Sequence, residues 1–157
     1  MRLSSRGRYA TKAMIDLAVH FNQGPVLAKD ISARQGITEP YLEQLFIPLR
    51  AAGLVRSLRG TGGGFYLARP PAEVKLGDII RASEGTTSPV ECADEPRLCP
   101  QSSQCVSRDV WVEMKRAIDG VLDATTLEDL VQQQNARGET TPGTACVGHR
   151  GARANPA

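Results

Sequence analysis

Aromatic residues are scarce in this 157-residue sequence, at 4 %, so its core has to be built from aliphatic side chains. Long apolar runs are missing: none approaches the roughly 18 residues that a membrane span requires. The basic start, Met1-Arg-Leu-Ser-Ser-Arg-Gly-Arg8, has no apolar stretch behind it. A secretory signal is therefore not expected, and the chain is expected to work in the cytoplasm, away from membranes. Only four cysteines and two histidines are present. The composition excludes disulfide-dense toxins, collagen and long-helix fibres, and there is no internal repeat. No pair of carboxylates and no Cys–His couple stands out by spacing, so the chain is not read as an enzyme. The glycine run Gly60-Thr-Gly-Gly-Gly64 is not a phosphate loop. Strand-like Phe65-Tyr-Leu67 follows it, where such a loop needs a Lys-Ser/Thr pair opening a helix.

What is present is ordinary in amount and uneven in distribution. Apolar residues make up 41 % and charged residues 23 %, as in a globular chain of one domain or two small modules. The net charge of +2 conceals a division: residues 1–75 carry 11 Lys and Arg against 5 Asp and Glu, and residues 76–157 carry 8 against 12. A basic half joined to an acidic half points to a polyanion met by one part only.

Ala10, Ala13, Met14, Leu17, Ala18 and Phe21 recur at helical spacing, with Ser4 or Ser5 as a cap and Asn22-Gln-Gly24-Pro25 as a stop. Arg2, Arg6, Arg8 and Lys12 gather at the open end of that helix. A short helix is expected over Ala28 to Gln35, closed by Gly36 in a left-handed conformation. Thr38 is placed to cap a third helix from Glu39 to about Ala52, with Leu42, Leu45, Phe46 and Leu49 inward and a kink expected at Pro48. Leu54–Leu58 and Phe65–Leu67 read as strands about a glycine turn. Helix, short glycine turn, helix, then hairpin is the order of a winged helix-turn-helix. In such a fold the third helix enters the major groove. There Glu43 accepts from a cytosine amino group, Gln44 pairs with adenine and Tyr41 reaches a phosphate; Thr38 and Arg50 are counted with them as DNA-binding residues, and Arg2 and Arg8 meet the phosphate backbone from the open end of the first helix. Arg59 and Gly60 at the wing tip approach the minor groove. Singly, each of these polar residues reads equally well as solvated surface; their order along the chain is what groups them.

Beyond Pro70-Pro71 the character changes. A short helix is expected around Leu76, Ile79, Ile80 and Ser83, ended by Gly85. Residues 86–104 read as a polar loop, and a long helix follows from about Val106 to Leu122. Its stripe of Val110, Met114, Ala117, Ile118 and Val121 is too long for a small winged domain to cover and calls for a partner helix. Thr125-Thr-Leu-Glu128 fits a capping box for a last helix to about Gln134. From Ala136 on, the composition reads as a disordered tail. Three cysteines, Cys92, Cys99 and Cys105, fall in the loop before the long helix, and Cys146 in the tail. Thiolates so grouped suit an iron–sulfur cluster or zinc, although zinc pairs usually have shorter gaps; reduced thiols and a disulfide also remain open.

Met1-Arg-Leu-Ser-Ser-Arg-Gly-Arg-Tyr-Ala10, Asp30-Ile-Ser32, Tyr41-Leu-Glu-Gln-Leu-Phe46, Gly53-Leu-Val55, Arg59-Gly60 with Gly62-Gly-Gly64, and Thr126-Leu-Glu-Asp-Leu-Val131 together resemble the IscR-like iron–sulfur regulators of the Rrf-two superfamily. The resemblance spans about residues 1–134. It implies a homodimer on palindromic promoter DNA and a cluster of the 2Fe-2S type with Cys92, Cys99 and Cys105 as ligands. It also implies a histidine three residues after the third cysteine, where this sequence has Arg108, which does not ligate iron. Asp109, Glu91, Cys146, His149 or an exogenous group are left as fourth ligand. Related nitric-oxide sensors of the superfamily pair three cysteines with a different fourth ligand, often around a 4Fe-4S cluster. The expectation is thus a mainly α chain with a small β-hairpin. A winged helix-turn-helix occupies 1–72, the cluster loop and dimerisation helices 73–134, and a disordered tail 135–157. It is a promoter-binding regulator controlled by an iron–sulfur cluster. The alternatives are a nitric-oxide-sensing repressor and a zinc-stabilised interaction module.

Overall fold

The Ser4 hydroxyl accepts the N–H groups of Arg6 at 3.0 Å and Gly7 at 3.4 Å and so opens the first helix, α1, Ser5–Val19. The computed structural model of the protein describes residues 3–138. Six further α-helices and one hairpin follow: α2, Ala28–Gln35; α3, Glu39–Ala51; β1, Val55–Leu58; β2, Gly64–Leu67; α4, Leu76–Glu84; α5, Glu91–Asp94; α6, Val106–Ala124; and α7, Leu127–Ala136. The fold is mainly helical with one antiparallel pair, β1 against β2, in the register Val55 opposite Leu67 and Leu58 opposite Gly64.

The α2–α3 connection turns on Gly36, at φ 64°, a left-handed conformation that side chains with a Cβ rarely adopt. Thr38 stands at the N-cap of α3 as expected, but its hydroxyl makes no capping hydrogen bond. The helix runs on through Pro48 to Ala51. The wing is tied back to the helical body at Val26 and Phe65, which exchange two backbone hydrogen bonds of 2.8 Å. A Cβ on Gly64 would lie 2.4 Å from the Val26 carbonyl oxygen, so glycine is required at that approach. The Phe65 and Phe46 rings, 4.3 Å apart, hold the wing against α3.

One aliphatic core fills the interior. Ala13, Met14 and Leu17 of α1, Ile31 of α2, Leu42, Leu45, Phe46 and Leu49 of α3, Ile79 of α4 and Leu127 of α7 belong to a single buried cluster. Two backbone bonds, Leu76 to Thr125 and Leu127 to Val74, each 2.9 Å, clip the start of α4 to the start of α7. The capping box of α7 sits one residue later than the sequence suggests. Thr126 accepts the Asp129 N–H at 3.1 Å and Asp129 accepts the Thr126 N–H at 2.8 Å, because Thr125 instead donates to the Val121 carbonyl at the end of α6. Residues 86–104 are not a plain loop: α5 and two 3-10 turns, Pro96–Leu98 and Ser102–Gln104, subdivide them. The expected disordered tail falls almost wholly outside the described residues.

Among the described residues, one charged side chain is committed to the interior. Asp16 is 3 % exposed and accepts from Arg34 Nε at 2.9 Å, Arg34 Nη2 at 2.7 Å and Gln35 Nε2 at 2.9 Å, clamping α2 to α1. Hydrogen bonding to Asp16 raises the Arg34 guanidinium above its ordinary pKa. His20 Nδ1 lies 2.8 Å from the Asp16 carbonyl oxygen, a structural placement for that histidine. Asp16→Ala removes the acceptor for both α2 side chains. Because Arg34 retains solvent access, the expected loss is about 2–3 kcal/mol, at the lower end for a broken buried pair. Urea unfolding followed by circular dichroism checks this, with exposed Glu43→Ala as the control, expected within about 0.5 kcal/mol of the parent.

Candidate nucleic-acid interface and cysteine segment

Helix α3 divides cleanly into two faces. Leu42, Leu45, Phe46 and Leu49 are buried, whereas Glu39, Pro40, Tyr41, Glu43, Gln44, Ile47 and Arg50 are exposed. The core packing that buries the first set therefore presents Glu43 and Gln44 outward from the second turn of the helix. Thr38, just ahead of α3, is exposed as well. Tyr41 meets Tyr9 of α1 edge-on, with ring centroids 6.0 Å apart, and Lys12 Nζ lies 6.0 Å from the Tyr9 centroid. These contacts join the start of α3 to the basic end of α1. Arg50 reaches the Ser57 hydroxyl of β1 at 3.2 Å and links the helix to the wing. Arg59 and Gly60 are exposed in the turn between β1 and β2, Gly60 at φ 94°. Arg8 is exposed and bonds back to the Ser4 carbonyl and the Ser5 hydroxyl. Arg2 lies outside the described residues. The Tyr9–Tyr41 and Arg50–Ser57 contacts thus join the α1 start to α3 and α3 to the hairpin. Ile47, exposed in the middle of the outer face of α3, carries no hydrogen-bonding group by which a sequence marks a base contact.

The cysteines lie on three successive short elements. Cys92 is in α5, Cys99 follows the Pro96–Leu98 turn and Cys105 is the N-cap of α6; all three are free and half-buried. A hydrogen bond from the Ser107 hydroxyl, 3.2 Å away, holds the Cys105 thiol below its ordinary pKa, and the Arg108 N–H adds to this. The donor chemistry, three free thiols with one already biased towards thiolate, fits iron or an iron–sulfur cluster. The arrangement does not gather them: among the described residues no three His, Cys, Asp or Glu side chains group closely enough to hold a metal ion. Arg108 points elsewhere, its Nε donating to the Cys92 carbonyl at 2.8 Å and tying α5 to α6. Glu91 and Asp109 are exposed nearby in sequence, while Cys146 and His149 lie outside the described residues.

A chain of ion pairs that sequence reading missed runs from this segment to α4. Asp94 of α5 is 3.8 Å from Lys115 of α6, and Lys115 is 2.6 Å from Asp119. Asp119 in turn accepts from the Thr87 hydroxyl at 2.6 Å and lies 3.9 Å from Arg81 of α4. Arg81 also pairs with Asp123 at 2.6 Å and Asp78 at 3.3 Å. Hydrogen bonding to Asp123 raises the Arg81 pKa, and hydrogen bonds from Lys115 and Thr87 lower that of Asp119. The i,i+4 spacing of Lys115 and Asp119 was legible in the sequence; the links between helices were not.

Along α6, Val110, Met114, Ala117 and Val121 are exposed on one side, joined by Val106 one turn earlier. Ile118, expected in the same stripe, is half-buried. With Leu122 it lines a cavity of about 670 Å³ between α1, α4 and α6, which Leu3, Tyr9 and Ile80 also line. Among the described residues, no helix is long and apolar enough to cross a membrane.

The sequence pattern of the family described as Rrf2, iron-dependent transcriptional regulator, matches residues 3–133. The HTH-type transcriptional regulator IscR of Serratia proteamaculans is 42 % identical over 135 residues, which are 86 % of this chain and 82 % of that protein. The HTH-type transcriptional regulator CymR of Bacillus subtilis is 41 % identical over 139 residues, 88 % of this chain and 96 % of that one. The solved structure of IscR from T. potens superposes with a TM-score of 0.71 at 42 % identity, over 91 % of this chain and 94 % of that one. These relatives are regulators of transcription and not enzymes, and this chain belongs to the Rrf2 family of DNA-binding transcriptional regulators.

Proposed function

We propose that this chain is a homodimeric, promoter-binding regulator whose DNA affinity depends on an iron–sulfur cluster held by Cys92, Cys99 and Cys105. The observation that carries this reading is the run of three free, half-buried thiols leading into the start of α6. The family description as iron-dependent and the IscR relatives support it. CymR relatives belong to the same family, and one solved CymR structure is described as that of a global cysteine regulator; the three-thiol segment favours the cluster here. When bound, the cluster would supply a redox- and iron-sensitive set of bonds joining α5 to α6; 2Fe-2S is the first choice and 4Fe-4S the second. Because Arg108 does not ligate iron, Asp109, Glu91, Cys146, His149 or an exogenous group is left as fourth ligand, and an oxygen or nitrogen group of the folded part is the first choice.

The chain's own residues do the rest. Cysteines drawn together would reposition α5, and Asp94 would carry that shift to Lys115, Asp119 and Arg81, and so to α4, which packs on both α1 and α3. The exposed stripe Val106, Val110, Met114, Ala117 and Val121 runs the length of a 19-residue helix. A second copy covering that stripe sets the separation of two half-sites on a palindromic promoter.

Two experiments test these parts separately. Anaerobic reconstitution with iron and sulfide is expected to give brown protein with visible charge-transfer absorbance. Uptake should survive deletion after Asn135 and disappear when Cys92, Cys99 and Cys105 are all changed to Ser. A colourless protein that takes up zinc alone would support the interaction-module alternative, and a bleaching response to nitric oxide but not to iron limitation would support the nitric-oxide sensor. On the DNA side, Gln44→Ala is expected to change preference at one base by about 1–3 kcal/mol. Arg59→Ala is expected to weaken binding to all sequences and lower the salt slope by about 1. Unaltered promoter binding by the double variant, measured by fluorescence anisotropy, would remove α3 and the wing from the interface.

A further inference from the structure

The outer face of α3 holds one residue whose chemistry differs from its neighbours. Leu42, Leu45, Phe46 and Leu49 are all at most 1 % exposed, whereas Ile47 is 53 % exposed. At 3.6 residues per turn, Ile47 projects between Glu43 and Gln44 of the turn before it and close to Arg50 of the turn after it. It therefore stands near the middle of the exposed face, away from the buried stripe. Isolated apolar residues on a surface are common and mean nothing by themselves. This one occupies the centre of the surface that, on the reading above, enters the major groove.

Isoleucine neither donates nor accepts a hydrogen bond, so it cannot read the donor and acceptor pattern that suits Glu43 and Gln44. The major-groove edges of the bases offer one apolar group, the C5-methyl of thymine. A β-branched side chain is also confined largely to one rotamer in a helix, so it presents a fixed surface with little further ordering cost. We infer that Ile47 is a specificity-determining residue, packing its side chain on a thymine methyl within each half-site of the promoter. The inference rests on α3 being the groove helix and adds an apolar contact to the polar ones assigned to Glu43 and Gln44.

The test removes one methyl group at a time. A duplex is selected by the wild-type protein from a randomised library, and each thymine is then replaced in turn by deoxyuridine. At one thymine per half-site, wild-type affinity is expected to fall about fourfold, the worth of one buried methyl group. Ile47→Ala is expected to bind the thymine and deoxyuridine duplexes alike, and Ile47→Val to keep part of the difference, with thermal midpoints unchanged. Wild-type protein indifferent to every thymine methyl, or Ile47→Ala retaining the full thymine effect, would overturn the assignment. If Gln44→Ala still shifts base preference in that case, α3 remains the groove helix and only the role of Ile47 is lost. Selection of no preferred sequence would remove both.

Discussion

Helix α4 is the junction on which the rest of the molecule depends. Its apolar side places Ile79 and Ile80 in the interior, packed with α1 and α3. Its C-terminal Glu84 accepts the Gly7 N–H at 2.9 Å and the Ser4 hydroxyl, and so fixes the start of α1. Its opposite side carries Arg81, which holds Asp123 and approaches Asp119 of α6. The basic face and the cysteine-bearing half are thus bound to the same nine-residue helix from two directions. Each ion pair is partly exposed and, taken singly, worth little in stability, about 0–1 kcal/mol. Their importance is geometric: several converge on one guanidinium, so α6 and α4 cannot shift independently without breaking them together.

The same arrangement gives the charge division of the sequence a location. Of the first half's basic side chains, Arg6, Arg8 and Lys12 belong to α1 and Arg56 and Arg59 to the hairpin, whereas Arg34 and Arg69 face Asp16 and Asp78. In the second half, Asp78, Asp94, Asp119 and Asp123 pair with Lys115 or Arg81, four of its twelve acidic residues. The net positive charge of the first half suits a polyanion there, and the net negative charge of the second half does not.

Elements governed by local rules were legible in the sequence. The bounds of α2, the left-handed Gly36, the buried stripe of α3 and the hairpin all follow from spacing and turn chemistry. The capping box was displaced by one residue because Thr125 and Thr126 are both competent caps, and only the carbonyl available at the end of α6 decides between them. Helical turns as short as Glu91–Asp94 carry no periodicity to read. The ion-pair chain could not be seen because it joins residues up to 42 positions apart through packing. Ile118 was assigned to the outer stripe since it shares the heptad-like spacing, but a helix with two apolar sides needs tertiary contacts to say which side faces inward. The cysteine run was visible as chemistry, while its spread over three short elements was not.

The proposed coupling runs through α4, from the cysteine segment to the face formed by α3 and the wing. It is tested most directly by a cycle of four affinities: wild type and Arg81→Met, each with the cluster reconstituted and with it stripped, against one selected duplex. A coupled regulator of this kind changes affinity between its two states by about 5–150-fold. Such a ratio is expected for the wild type, and a ratio close to one for Arg81→Met with cluster uptake unimpaired. An Arg81→Met protein that takes up its cluster and keeps the full wild-type ratio would contradict it.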